Sequence, residues 1–413
     1  MKSSFRDRSQ TGSVLTRRRF LFEAGRSGAV TLAVAPQVLL RAAEEAGESK
    51  TQALRPLEPV DRFNYIAGTQ TFDPAYQFTE KPRLTETAEG IQELGCSVIK
   101  LNISWDKSRG PRPPRIASLR DLAANDPVLR DVLDMPFGHF LLWAYPIRKG
   151  KGDSAASDRD EEIYELGCHL LRRYSGTGKQ FYIGHWEGDW EIRGRAGSKD
   201  DPTREAIDKK ITWLKRRQKA IDDAKSSTPH ADVGLYCYAE ANLVRDAMAG
   251  RPAMANAVIP HTGIDFVSYS SYDTTNNHVA DLPKVLDYIE AQLPPKPEIR
   301  GKRVWIGEYG FPAENHSPSE QDARSREVLL AGLRWGCPFV LYWEFYNNEV
   351  EKDGRQRGFW MIDDKGFKQP VYHTHRKLCA WGRDFVARAL RKNGKLPPFE
   401  DYRKAAAEFL TAL

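Results

Sequence analysis

Residues 303–345 contain two strand-length runs, RVWIGEYG (303–310) and PFVLYWEF (338–345), separated by a segment of helical spacing from Ser319 to Trp335 that stops at Gly336. Each run is dense in Val, Ile, Trp, Tyr and Phe and is bounded by Gly or Pro, the composition of a buried strand. A strand, a helix and a second strand in succession form the repeating unit of an α/β fold.

The same alternation extends back to Phe63. Further runs begin near Phe63 (FNYIAGTQ), Ser97 (SVIKLNIS), His139 (HFLLWAYP), Gln180 (QFYIGHWE), Asp232 (DVGLYCYAE) and Ile264 (IDFVSYSSYD), making eight in all. Their spacing averages about 39 residues, above the roughly 31 per unit of a 250-residue eight-stranded barrel, and loop insertions supply the excess. The expected fold is therefore α/β, a single-domain (β/α)8 TIM barrel over residues 63–413, preceded by a linker at 44–62. A doubly wound open sheet that bound a dinucleotide would carry a glycine-rich phosphate turn after an early strand. FNYIAGTQTFD has no such turn, and no cofactor is expected. Eight units favour closure, and closure puts function at the C-terminal ends of the strands.

Between the runs, Leu84–Leu94 reads as a helix stopped by Gly95, and 201–226 as a helix with Ile207, Ile211, Leu214 and Ile221 on one face. Segment 105–117 is a Pro/Arg-rich loop. His373 and His375, two residues apart on a helix, point to different faces, and both are expected at the surface rather than on a metal.

Charge sets the leader apart from the body. The formal charge is +6, and all of that excess lies in residues 1–43, so the remainder is neutral. A neutral body without a basic run argues against a nucleic-acid partner. Within the leader, Thr16-Arg17-Arg18-Arg19-Phe20-Leu21 precedes a mildly apolar stretch, Gly28–Leu40, and resembles a twin-arginine export signal. The stretch is too short for a helix that crosses a bilayer, so no stable membrane anchor is expected. Residues 1–43 would engage the twin-arginine export machinery and be removed, leaving a periplasmic or secreted protein. Five scattered cysteines, at 96, 168, 237, 337 and 379, suggest buried thiols rather than a disulfide framework.

Carboxylates and aromatics crowd the C-terminal ends of the runs. They include Asn102, Trp143, His185, Trp186, Glu187, Asp189, Tyr238, Glu240, Tyr272, Glu308, Trp343 and Glu344. Sugars are bound by such mixtures, since C–H faces stack on rings while carboxylates and amides meet hydroxyls. Two runs end in the sharpest signals: Gly184-His185-Trp186-Glu187-Gly188-Asp189-Trp190 on the fourth and Gly307-Glu308-Tyr309-Gly310 on the seventh. Retaining cleavage of a glycosidic bond needs two carboxyls about 5–5.5 Å apart. Asp189 and Glu191 are rival acids in the same loop, and Glu308 could instead serve a structural ion pair. Trp343 and Glu344 alternate in strand direction, so only one is expected to face the cavity.

These two strand ends resemble the clan A glycoside hydrolases, retaining enzymes on an (α/β)8 barrel with an acid/base Glu after strand four and a nucleophile Glu after strand seven. The resemblance implies Glu187 as acid/base and Glu308 as nucleophile. It also implies Tyr272 as a hydrogen-bond partner of the nucleophile, and Trp343 as the floor of the cleavage subsite. Asn102 and Tyr238 would contact hydroxyls, while Trp143 and Trp186 would wall the site. Two positions depart from the clan: Trp186 stands where most members have Asn, and KLNIS offers Lys100 and Asn102 where many carry Arg. The expected activity is cleavage of an oligo- or polysaccharide by double displacement; the alternative is a barrel that binds carbohydrate without cutting it.

Overall fold

Eight strands pair in parallel and in chain order: β1 (Ala67–Thr71), β2 (Val98–Ile103), β3 (His139–Ala144), β4 (Gln180–Gly184), β5 (Gly234–Ala241), β6 (Phe266–Ser270), β7 (Val304–Tyr309) and β8 (Val340–Tyr342). β8 pairs back onto β1 with Ala67 opposite Val340, which closes the barrel. The computed structural model describes residues 54–106, 109–148 and 154–413, apart from the side chains of 154–159. The leader expected at 1–43 lies outside the described residues. Residues 54–62, assigned to a linker from sequence, include a helical turn Pro59–Arg62, and the Leu57 amide donates to the Thr177 carbonyl at 2.9 Å.

Every one of the eight apolar runs contains a strand. Val, Ile and aromatic residues pack well on a surface covered on both faces, which is why these strands read as near-continuous apolar runs. One core lies between the strands and the surrounding helices. A second fills the barrel, where Tyr182 stands edge-on to Phe266, Trp305 and Phe339 with ring centroids 5.3–5.7 Å apart. This aromatic plug makes the barrel a packed core, and polar side chains gather above it.

Helix limits follow local chemistry. Arg83–Leu94 ends at Gly95 in the left-handed region (φ 96°), and Pro318–Trp335 opens with a Ser317/Glu320 capping box and ends at Gly336. Arg204–Ser227 is capped by Thr203, whose hydroxyl accepts the Ala206 amide. Residues 105–106 and 109–117 form no long helix or strand, and two short helices, Leu119–Asn125 and Pro127–Asp134, follow them. A further helix, Phe399–Thr411, follows Pro370–Asn393.

One expectation is corrected here. His373 is exposed, but His375 is fully buried beneath the barrel wall, with Nδ1 at 2.8 Å from the Val371 carbonyl and Nε2 at 3.3 Å from the Tyr309 hydroxyl. Spacing alone separates the two faces and cannot tell which one packs inward. All five cysteines are buried free thiols.

Candidate active site

In β7 (VWIGEY), Trp305 joins the inner core and Ile306 the outer one. Strict alternation would send Glu308 outward with Ile306. The register instead slips by one residue: Tyr269 faces Ile306, but the next residue, Ser270, faces Glu308. Against β8, Ile306 faces Val340 and Tyr309 faces Tyr342, the same slip seen from the other side. Gly307 is the extra residue of a β-bulge, a device that re-aims the side chain after it. A Cβ there would lie 1.8 Å from Ser268 Oγ, so the bulge needs glycine. Glu308 consequently points into the barrel.

β4 (QFYIG) ends at Gly184, where a Cβ would fall 2.1 Å from the Tyr238 ring. Arg217, buried on the helix Arg204–Ser227, donates to the Ala144 carbonyl at 3.0 Å and the Gly184 carbonyl at 3.1 Å, fixing the ends of β3 and β4. The chain then leaves the strand. Burial keeps His185 neutral by pushing its pKa well below the usual value. Its Nδ1 faces the Trp186 carbonyl at 2.6 Å, and its Nε2 accepts the Glu240 amide at 3.4 Å. The Trp186 amide donates to the Tyr145 hydroxyl at 2.7 Å, and the Glu187 amide to Glu240 Oε1 at 3.2 Å. Glu187 stands at the head of a single helical turn, Gly188–Ile192.

Both rival acids have structural partners. Asp189 accepts the backbone amides of Asn242 (2.8 Å), Leu243 (3.1 Å) and Met254 (2.7 Å), and Glu191 pairs with Lys210.

Glu187 and Glu308 converge on one hydroxyl. Ser270 Oγ is 2.6 Å from Glu187 Oε1 and 3.2 Å from Glu308 Oε2, so the facing oxygens are at most about 6 Å apart. Glu308 Oε1 accepts Lys100 Nζ at 3.0 Å, and the same ammonium donates to Glu240 Oε2 at 2.8 Å and to the Gly307 carbonyl at 3.2 Å. It also lies 4.8 Å from the Trp143 ring centroid. Burial opposes the charge on Lys100, but its two carboxylate partners outweigh it and hold its pKa above the usual value. Lys100 thus supplies a cation beside Glu308 from β2, where no arginine was found in the sequence.

A cavity of about 730 Å³ opens beside this network, walled by Phe72, Trp143, Tyr145, Trp186 and Trp343. Phe72 stacks on Trp343 at 5.5 Å, and Trp343 Nε1 donates to Glu349 Oε1 at 3.2 Å. Asn102 and Asn348 also face it. Three buried polar atoms of residues that line it, Asn102 Oδ1, Asn348 Oδ1 and Trp143 Nε1, have no protein hydrogen-bond partner. The amide nitrogen of Asn348 is tied to the Phe72 carbonyl at 2.7 Å.

Of the residues expected from sequence, Asn102, Trp143, Trp186 and Trp343 line the cavity. Glu187 and Glu308 are only 2% and 1% exposed and are not part of its wall. Tyr238 is fully buried against Trp305, and Tyr272 opens the helical turn Tyr272–Thr275 with its ring 6.2 Å from Phe359; neither lines the cavity. Trp343 and Glu344 are both buried: Trp343 faces the cavity, while Glu344 accepts the Phe72 amide at 3.1 Å. Sequence reasoning missed Lys100, Ser270 and Asn348 and assigned no role to Glu240. The first two share strand parity with Asn102 and Ser268, and that parity was the one signal available for them. Among the described residues, no group of three His, Cys, Asp or Glu side chains is placed to hold a metal ion.

No family model matches the chain, and no curated protein matches it. Solved structures similar to it include a family 39 glycoside hydrolase from Bacteroides cellulosilyticus (13% identity, TM-score 0.47, 78% of this chain and 65% of that one). A GH5 family lichenase from Caldicellulosiruptor is 13% identical (TM-score 0.49, 80% of this chain and 98% of that one). A family 5 xyloglucanase from Paenibacillus pabuli is 11% identical (TM-score 0.46, 79% and 100%). The chain spans just under two thirds of the length of the family 39 protein.

Proposed function

We propose that this chain is an exported retaining glycoside hydrolase acting on an oligo- or polysaccharide, with Glu308 as nucleophile and Glu187 as acid/base. One observation carries the reading: a single serine hydroxyl lies within hydrogen-bond reach of both carboxyls. A serine hydroxyl has one proton to give, so it satisfies two carboxyl groups fully only when one of them is itself protonated. One acid and one carboxylate is the resting state that double displacement uses. Lys100 sits on the Glu308 side, with Nζ 3.0 Å from Glu308 Oε1.

In the first step Glu308 attacks the anomeric carbon as the bond to the leaving oxygen breaks, and Glu187 gives that oxygen its proton. In the second, water attacks the glycosyl ester, Glu187 takes the water's proton, and Glu308 leaves as carboxylate. The aromatic wall would stack the flanking sugars, and Asn102 and Asn348 would accept their hydroxyls.

One observation favours a second reading, a carbohydrate-binding protein that does not cut: neither carboxyl forms part of the cavity wall. Glu308→Gln separates the two. Reducing ends released from a panel of plant, algal and bacterial glycans should fall by more than about a thousandfold in this variant, with glycan binding retained. If the unmodified protein binds a glycan and releases no reducing ends from it, the hydrolase reading is lost.

A further inference from the structure

Glu240 has no part in a two-glutamate displacement, yet it touches both halves of the pair. Its Oε1 accepts the backbone amide of Glu187 at 3.2 Å, and its Oε2 accepts Lys100 Nζ at 2.8 Å, the same ammonium that holds Glu308. The three protons of Lys100 are fully committed, to Glu240, Glu308 and the Gly307 carbonyl. Any change of charge on Glu240 therefore redistributes the attraction that Glu308 feels.

The surroundings accommodate Glu240 in both protonation states. Ser268 Oγ lies 2.8 Å from Oε2 and donates to the carboxylate; when Oε2 carries a proton, the same hydroxyl rotates and accepts it. The titratable and charged groups that face Glu240 are Lys100 from β2, Tyr145 beyond β3, His185 and Glu187 beyond β4, Tyr238 on its own strand, and Glu308 from β7.

We propose that Glu240 is a positioning residue whose proton commits Lys100 to Glu308 and whose ionisation shares Lys100 between two carboxylates, making it a charge switch on the nucleophile. The proposal rests on the two-glutamate reading given above. Burial pushes the Glu240 carboxyl up to about 8; Lys100 opposes the rise, and the nearby Glu308 and Glu187 add to it. The switch therefore works just above neutral pH.

Glutamine at 240 cannot ionise and keeps two of the three contacts: its amide oxygen accepts the Glu187 amide and its amide nitrogen donates to Ser268 Oγ, while Lys100 Nζ loses its acceptor there and is left to Glu308 and the Gly307 carbonyl. The test is a pH titration of the full chain carrying 13C-labelled glutamate carboxyls, with the Glu308 signal assigned by its loss in Glu308→Gln. In the unmodified protein the Glu308 signal should show a step near pH 8, and in Glu240→Gln that step should vanish. The alkaline limb of kcat/KM on a cleaved glycan should move up by about one pH unit in the same variant, with KM unchanged. A Glu308 signal without a step between pH 7 and 9, or a step that survives in Glu240→Gln, overturns the proposal; the first result is read in the unmodified protein and does not depend on the folding of Glu240→Gln. A step that vanishes as expected in a protein that cleaves no glycan upholds the coupling and defeats the hydrolase reading instead.

Discussion

Ser270 Oγ is the atom on which the candidate site turns, because it touches both carboxyls at once. From sequence, a hydrogen-bond partner of Glu308 is expected two residues later, at Tyr272; a hydroxyl that meets Glu308 belongs to Ser270, the last residue of β6. Buried carboxyls nearby make stability depend on pH. Burial raises Glu240 from an ordinary 4.5 to about 8, and raises Glu344 well above 4.5. In the unfolded chain both lose their protons near pH 4.5, while the folded chain keeps them, so their stabilising effect is complete below that pH and is lost as pH rises through the folded values. Lys100, raised above its usual 10.5, loses its contribution only at higher pH. Urea unfolding should therefore show the midpoint of the unmodified protein falling from pH 5 to pH 9, and Glu240→Gln should fall less. Equal slopes in the two proteins would show that Glu240 ionises normally.

At the scale of elements, the bulge in β7 decides where the nucleophile candidate points. The strand itself was legible, because VWI and its flanking glycines are strand chemistry wherever they occur. Its irregularity was not, since the one trace it leaves in the sequence is Gly307, and a glycine in a strand has several meanings. Gly307→Ala would drive a methyl group against Ser268 and should cost about 1–3 kcal/mol, seen as a lower melting temperature. Because Glu308 follows directly, turnover should fall on the order of a hundredfold through misplacement alone. An alanine variant with unchanged melting temperature and rate would mean that the bulge does not need glycine. The loop after β4 carries a parallel lesson. Asp189 shares strand parity with Glu187, but the strand ends at Gly184 and the chain turns helical from Gly188, which sends Asp189 to the backbone amides of 242, 243 and 254.

For the whole molecule, route and architecture are separate matters. The basic leader lies outside the described residues, and export rests on Arg17-Arg18 and the short apolar stretch behind them. Replacing both arginines by lysine should leave the protein in the cytoplasmic fraction of cells that otherwise export it, and unchanged export would remove the twin-arginine assignment. Eight apolar runs at regular intervals determined the barrel, because strand and helix propensities act over a few residues and closure follows from their number and order. The same reasoning located the strand ends and brought Glu187 and Glu308 forward as acids there. Which groups meet was decided only by the tertiary structure. Lys100, Glu240, Ser270 and Glu308 lie on four different strands, 208 residues separate Lys100 from Glu308, and their contacts depend on barrel register and one bulge. Local propensity carries no information about register between distant strands, so a buried ion network of this kind can be read only once the barrel has closed.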